Sequence, residues 1–517
     1  MAEVVPNGSQ SYNIPKLTFK AYIGFAMMVF GMFMAILDIQ IVSSSMTEIQ
    51  AGLSASSDEI NWVQTAYLIA EVIMIPFSGF LNRMLSTRVL FSISALGFTL
   101  SSALCATATS INQMIIYRAF QGFIGGGMIP TVFATAFTIF SPQKRRIVTP
   151  IIGLVVTLAP TIGPTVGGYL SSSFSWHWLF LINVPIGILV TTVSWLTINF
   201  DEGDISLLQK LDWLGLASMA LFLGSLEYVL EEGPQHDWLS DQTILIMTIC
   251  MVVGAILFFY QAFTRKEPIV DLYAFSNLNF ALGTFFSFSL GIGLYGLTFM
   301  YPLYLGHVLH YSSYDIGTTM FVSGVSMFIG APLAAILSSK MDERYVMAIG
   351  FLGFALCTYN SSSINTQWGF WELFDPQMLR GISMMLCMVP INNITLGTLS
   401  PDRLKGASSL FNLSRNLGGA IGLGIINTIL INRTAFHYSR LSDSLNWQNR
   451  SAIDTIQALS YNFSHQGLNG QAIAMTQIAT MVNNQATVLS LSDCFILISI
   501  LFMLLSLLVL FVKKPNR

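Results

Sequence analysis

Tyr117-Arg-Ala-Phe-Gln-Gly-Phe-Ile-Gly-Gly-Gly-Met-Ile-Pro130 decides how this chain is read. The stretch is apolar apart from one arginine and one glutamine, and it carries four glycines. A charge at membrane depth costs at least ~2.5–3.5 kcal/mol on insertion scales, so Arg118 needs a partner or a polar cavity. The glycines let a neighbouring helix approach closely, and the bent span that follows in sequence is the expected neighbour. A fixed cation in a tightly packed membrane helix points to transport.

The surrounding composition agrees. Of 517 residues, 53% are hydrophobic and 9% charged, against roughly 25% charged in a soluble domain. The expected fold class is an all-α polytopic membrane protein. The first fifteen residues are polar and the first apolar run is long enough to span and stay, so no cleavable signal is expected. A net charge of −3 and the lack of a basic tract exclude a nucleic-acid partner. The five cysteines have no C-x-x-C spacing and read as small buried hydrophobes, not as disulfides or a metal site.

With about 20 apolar residues per crossing, the chain divides into fourteen spans: 20–46, 61–82, 88–109, 112–138, 147–170, 178–199, 213–231, 243–263, 279–304, 315–338, 345–362, 377–399, 405–432 and 490–512. Placing the N-terminus inside puts seventeen of the 23 Lys and Arg on the inner side. Arg380, Arg433, Arg440 and Arg450 then face outward, and Arg118 and Arg415 fall within spans. This is the positive-inside bias, with both termini cytoplasmic. The organisation read from it is 1–200 as an N-terminal bundle of six helices, and 201–273 as a linker with two extra spans. Residues 274–517 form a C-terminal six-helix bundle whose long outer loop, 433–489, contains the helix-like run Gln471–Thr487. A faint repeat relates Gln121-Gly122…Pro130 to Arg380-Gly381…Pro390, the mark of a transporter with its site between two halves.

Three constellations carry chemistry. At 1.5 Å per residue, Asp38 in the first span lies about 12 Å inside the outer boundary and Arg118 about 8–10 Å inside it. The two charges match in depth, either as a proton-coupling pair or as a static ion pair that fixes packing. Gln64, Tyr67 and Glu71 share one face of the second span. Glu71 is a second protonatable site, a cation-binding carboxylate for substrate, or a hydrogen-bonding group toward a neighbouring helix. In the fifth span Gly163, Pro164, Gly167 and Gly168 predict a bent, closely packed helix suited to sealing a cavity. Further cavity candidates are Gln121, Tyr295, Asn392 and Asn393. Arg415 is expected to snorkel to the interface, and Glu227, Glu231 and Glu232 to be solvated at the outer mouth of the seventh span.

No catalytic constellation is present: no P-loop, no G-x-S-x-G, no H-E-x-x-H, and no room for a cytosolic catalytic domain. The chain is expected not to be an enzyme, to need no cofactor or metal, and to draw on an ion gradient or run downhill.

Taken together, these motifs resemble the fourteen-span drug:proton antiporters of the major facilitator superfamily, the EmrB/QacA type, and are most similar to EmrB-type exporters. Leu37-Asp38 matches the family's first-span acidic motif, Arg118-x-x-Gln121-Gly122 its fourth-span motif, and Gly163-Pro164-x-x-Gly167-Gly168 its antiporter motif. Trp176–Gly187 and Ala407–Gly419 resemble two further signatures, and the similarity runs from about Ala21 to Val512. The resemblance implies a major facilitator fold of two six-helix bundles plus an inserted pair. It implies proton-coupled export of hydrophobic or amphipathic compounds, with Asp38 and Arg118 in coupling and spans 1, 4, 9 and 12 lining the cavity. It further implies the cytoplasmic (inner) membrane of a bacterium, with a periplasmic adaptor (EmrA-type) and an outer-membrane channel as partners beside membrane lipid. The alternatives are a dedicated exporter of one metabolite, such as a siderophore or fatty acid, and a transport-inactive scaffold. The chain departs from the family where many members carry an acidic residue and a glycine after the second span. Here the residues are Asn82-Arg83 and Ser86. A second departure is Trp176-His177-Trp178 in place of Trp-Arg-Trp.

Overall fold

The computed structural model describes residues 18–265, 268–399, 401–443 and 470–512, with a few positions between 454 and 461. Among the described residues helix follows helix. We number the long helices α1 (Phe19–Ser43), α2 (Ser57–Leu85), α3 (Thr87–Ala106), α4 (Ile111–Ile139), α5 (Pro142–Ser173), α6 (Trp178–Thr197) and α7 (Trp213–Glu232). They continue as α8 (Gln242–Thr264), α9 (Leu278–Leu303), α10 (Ser313–Lys340), α11 (Glu343–Ser361), α12 (Phe370–Gly397), α13 (Pro401–Asp443) and α14 (Gly470–Leu508). Among the described residues, thirteen helices are long and apolar enough to cross a membrane. The remaining one is α11, where Glu343, Arg344 and the polar end Thr358-Tyr-Asn-Ser361 dilute an otherwise apolar helix. It packs between α12 and α14 and buries Val346, Met347, Phe351 and Phe354, completing the expected fourteen.

Polar residues set the helix ends. Ser56 and Glu59 form a capping box on α2, Ser312 and Asp315 one on α10, and Asp241 accepts from Thr243 N and Ile244 N to start α8. Those bonds to backbone N–H hold the Asp241 carboxyl below the usual carboxylate range. Residues 18 and 512 lie at one end of the bundle, here called the terminal face, and the other end is the loop face.

α4 breaks briefly at Gly126-Gly127, where Pro130 has no N–H to give the Gly126 carbonyl. By contrast α5 stays one helix of 32 residues although Pro150, Pro160 and Pro164 lie inside it. The α4 glycines do not meet α5 as expected. A Cβ on Gly122 would stand 2.3 Å from Tyr67 O of α2, and one on Gly125 2.6 Å from the Phe98 ring of α3. It is α1 that α5 approaches. Cβ atoms on Gly163 and Gly167 would lie 2.3 Å from Gln40 Cβ and 2.4 Å from Ser44 Oγ. Gly168 is buried beside them and its carbonyl accepts from Ser172 Oγ at 2.6 Å.

The two halves meet along α5–α10, α2–α13 and α4–α13. At the terminal face Lys405 of α13 donates to Asn82 O at 3.3 Å and pairs with Asp201 in the linker after α6. Asp201 also accepts from Thr87 N at 3.0 Å. The carboxylate missing after α2 is therefore supplied from 119 positions further on (82 to 201) by a different segment. Ser86, where the resemblance leads one to expect glycine, holds φ 79° and ψ 158°. Of the inserted pair, α7 packs against α2, α13 and α8 beside the seam. α8 is peripheral and buries few residues, among them Ile244, Gly254 and Phe258.

Three boundaries differ from expectation. α13 runs on to Asp443 and α14 begins at Gly470, so Gln471–Thr487 is the start of α14 and not a loop helix. α12 begins at Phe370, which places Arg380 inside the span, 1% exposed, and not outside the membrane. Most of the rest of the 433–489 segment, including Arg450, lies outside the described residues.

Candidate functional site

Asp38 and Arg118 are both fully buried and bond at 2.7 Å. Depth put them at one level, and the close packing of α4 on α2 brings Arg118 across to α1. The pair sits in a polar network drawn from α2, α3, α4 and α6. Gln121 Oε1 accepts from the same guanidinium nitrogen at 2.8 Å, and its Nε2 donates to Asp38 Oδ1 at 3.3 Å and to Ser102 Oγ at 2.7 Å. Asn183 of α6 donates to Asp38 Oδ1 at 2.6 Å and to Ser102 at 3.1 Å. Arg118 Nε donates to Val63 O at 3.2 Å, and its guanidinium lies 4.1 Å from the centre of the Tyr67 ring. The remaining nitrogen, Nη2, has no hydrogen-bond partner among the described residues. Every Asp38 contact comes from a donor, which suits the ionised carboxylate; protonation would set the acid O–H against those donors.

Beside this network opens a cavity of about 910 Å³, within the range of sites for drug-sized ligands. It is lined by α1, α2, α7, α9 and α13, with Pro164 of α5 and Ile316 of α10 at its edge. Thr47, Gln235 and His307, all exposed, carry it to the loop face. Gln64, Glu71 and Tyr295 line it as expected residues do. Tyr67 does not: its ring covers Arg118, one helical turn from Glu71, so it separates the ion pair from the cavity. Gln121 belongs to the ion-pair network. Asn392 is buried in α12, and among the described residues neither of its amide atoms has a hydrogen-bond partner. Asn393 donates to Glu343 at 3.0 Å near the terminal face. Neither asparagine nor α4 and α12 reach the cavity; adjacent helical positions point about 100° apart, so both could not share one wall.

Two expectations about charge are overturned. Arg415 does not snorkel: it is 2% exposed, donates to Asn412 at 2.5 Å and lies over the Phe133 and Phe411 rings. Glu227 and Glu232 are 5% and 7% exposed, and with Glu231 they line the cavity from α7 instead of facing solvent. Sequence reading missed Ser102, Asn183 and these carboxylates as site residues. A polar residue inside an apolar span at the depth of Asp38 would have signalled Asn183, but nothing marks Ser102 among the many serines that bond back to their own helix.

A buried charge network beside a cavity at the seam of two helical halves defines a polytopic membrane transporter, and the chain belongs to the Major Facilitator Superfamily, whose family model matches residues 28–423. Among individual proteins, it is 42% identical over 495 residues to the Colistin resistance protein EmrB of Acinetobacter baumannii, covering 95% of this chain and 96% of that one. It is 29% identical over 487 residues to the Fatty acid resistance protein FarB of Neisseria gonorrhoeae, covering 94% of each. The fold also matches the crystal structure of the human organic anion transporter MFSD10, with a TM-score of 0.57 at 13% identity over 94% of this chain and all of that one.

Proposed function

We propose that the protein is a proton-coupled antiporter that exports hydrophobic or amphipathic compounds from the cytoplasm by alternating access. The observation that carries this reading is the Asp38–Arg118 pair, fully buried and one aromatic ring away from the cavity. A carboxylate whose ionised form depends on a single buried cation changes its proton affinity whenever the two helices shift. In this cycle protonation of Asp38 weakens its hold on Arg118, lets α4 and α1 move apart, and reopens the opposite side. Glu71, one turn from Tyr67 on the cavity wall, is the second proton-handling group. Coupling needs no cofactor beyond the proton gradient.

The membrane is the bacterial inner membrane with the terminal face cytoplasmic, supported by the Lys and Arg bias toward that face. The loop-face ends of α13 and α14 suit a periplasmic adaptor feeding an outer-membrane channel. At 1.5 Å per residue, α13 with 43 residues reaches about 64 Å, well beyond a ~30 Å hydrocarbon core. The fatty-acid resistance named for the gonococcal relative favours a second reading, a dedicated exporter of one amphipathic metabolite.

The test is reconstitution into proteoliposomes with an imposed pH gradient and a panel of dyes, antibiotics and fatty acids. Accumulation of several unrelated compounds, abolished by a protonophore, supports multidrug antiport. Accumulation of one class alone supports the dedicated exporter, and no gradient-dependent movement of any compound contradicts both.

A further inference from the structure

The cavity's charge is one-sided. Among the described residues, Glu71, Glu227, Glu231 and Glu232 line it, no Lys or Arg does, and the one basic side chain on its wall is His307 at the exposed mouth. Glu232 is engaged, accepting from Thr65 at 3.4 Å with the His236 ring 3.7 Å away. Glu71 and Glu227 are different. They are 4% and 5% exposed, and among the described residues neither makes a hydrogen bond or ion pair. Among the described residues, Glu227 feels the charges of Glu231 and Glu71 and of no cationic side chain. Glu71 also feels the Asp38–Arg118 pair, which is already neutral within itself. Arg415 interacts with Tyr295 and lies over the Phe133 and Phe411 rings, and it is not one of the residues lining the cavity.

A carboxylate taken out of water without a partner is costly, and helical proteins keep such groups where a ligand or proton answers them. Leu68, Val72, Phe299, Leu303 and Leu423 give the same cavity apolar surface, between neutral polar side chains such as Gln40, Gln64, Asn416 and Asn427. Glu227 and Glu231 stand four residues apart, on one face of α7.

We propose that α7, a helix of the inserted pair, is a wall of the substrate site, where Glu227 and Glu231 with Glu71 of α2 bind the charged head of an amphipathic cation. The cation's apolar body lies against Leu68, Phe299 and Leu423. The inserted pair thereby sets specificity and does more than fill membrane. This inference rests on the export reading and names its substrate class.

Equilibrium dialysis of the detergent-purified full chain tests it, using tetraphenylphosphonium and, as the anion of equal size, tetraphenylborate. Wild type is expected to bind the cation, with the anion at least tenfold weaker. Glu227→Gln combined with Glu231→Gln lowers cation affinity at least tenfold, whereas Glu227→Asp, which keeps the charge, stays within threefold of wild type. If the double variant is not monodisperse, Glu231→Gln alone, at the less buried position, must lower affinity at least threefold. Cation binding that is unchanged in the neutralised variants, or equal binding of the anion, overturns the proposal. Dialysis needs no gradient, so the two readings fail separately. Charge-dependent binding without gradient-driven transport sinks antiport and leaves the subsite. Gradient-driven transport of other compounds without charge-dependent binding sinks the subsite alone.

Discussion

Replacing Asp38 with Asn changes one oxygen for an NH2 group and removes one charge, yet the structure makes it a large perturbation. Asp38 accepts from Arg118 at 2.7 Å, Asn183 at 2.6 Å and Gln121 at 3.3 Å. An amide in the same place has one acceptor, so its NH2 must face a donor on at least one side. Arg118, fully buried, loses its only ion-pair partner among the described residues. Removing one member of a buried pair costs about 3–5 kcal/mol, most of it the uncompensated charge left behind. Arg118→Gln exposes the opposite charge in the same site and carries a similar cost. In the double variant the two replacement side chains are neutral amides that can hydrogen-bond to each other, so the losses do not add. The interaction energy expected from the cycle is about 2–3 kcal/mol, at the upper end for residues in direct contact. Denaturant titration of the purified chain, followed by tryptophan fluorescence across the four proteins, measures it. Losses that add to within about 0.5 kcal/mol would refute the claim that these two side chains sustain one another.

Two more outcomes follow from backbone geometry. Gly122→Ala puts a methyl 2.3 Å from Tyr67 O and 3.0–3.1 Å from Tyr67 C and Cα, all main chain that cannot swing aside. The expected cost is about 1–3 kcal/mol in the same titration, whereas Gly406→Ala, with nothing within 4 Å of the added carbon, is neutral or stabilising. Ser86 lies in backbone territory nearly reserved for glycine, worth about 1–3 kcal/mol of strain. Among the described residues its hydroxyl accepts only one long bond, from Val89 N at 3.5 Å. Ser86→Gly is therefore expected to raise the unfolding midpoint, and a lower midpoint would show that the cap outweighs the strain.

How much of this was legible in the sequence depended on what each residue had to satisfy. Arg118 was legible because a lone cation in an apolar span must find an anion, and depth alone singled out Asp38. The glycines of α5 were legible as close contacts, but the partner helix was not, since small residues state only that something is near. Glu227 and Glu231 misled because they sit close to a helix end, where solvent is the ordinary surrounding. Burial there comes from α7 lying against α2 and α13, a tertiary fact with no local signature. Arg415 misled for the same reason, with Phe133 and Phe411 arriving from the other half and from its own helix to cover it. Asn392 and Asn393 show the limit of proximity in sequence, because neighbours on a helix face different surroundings. Asp201 replaces a carboxylate expected after α2, and no pattern close to Asn82 could have pointed to a linker 119 positions away (82 to 201).

The central claim is that Asp38 ties proton movement to substrate movement, and coupling is reciprocal. The direct measurement imposes an outward gradient of a transported compound across proteoliposomes at equal pH on both sides, with a trapped pH-sensitive dye. Wild type is predicted to drive protons against the substrate flow, acidifying the compartment the substrate leaves, while Asp38→Asn moves no protons under the same gradient. Proton movement by Asp38→Asn at the wild-type rate would contradict the account.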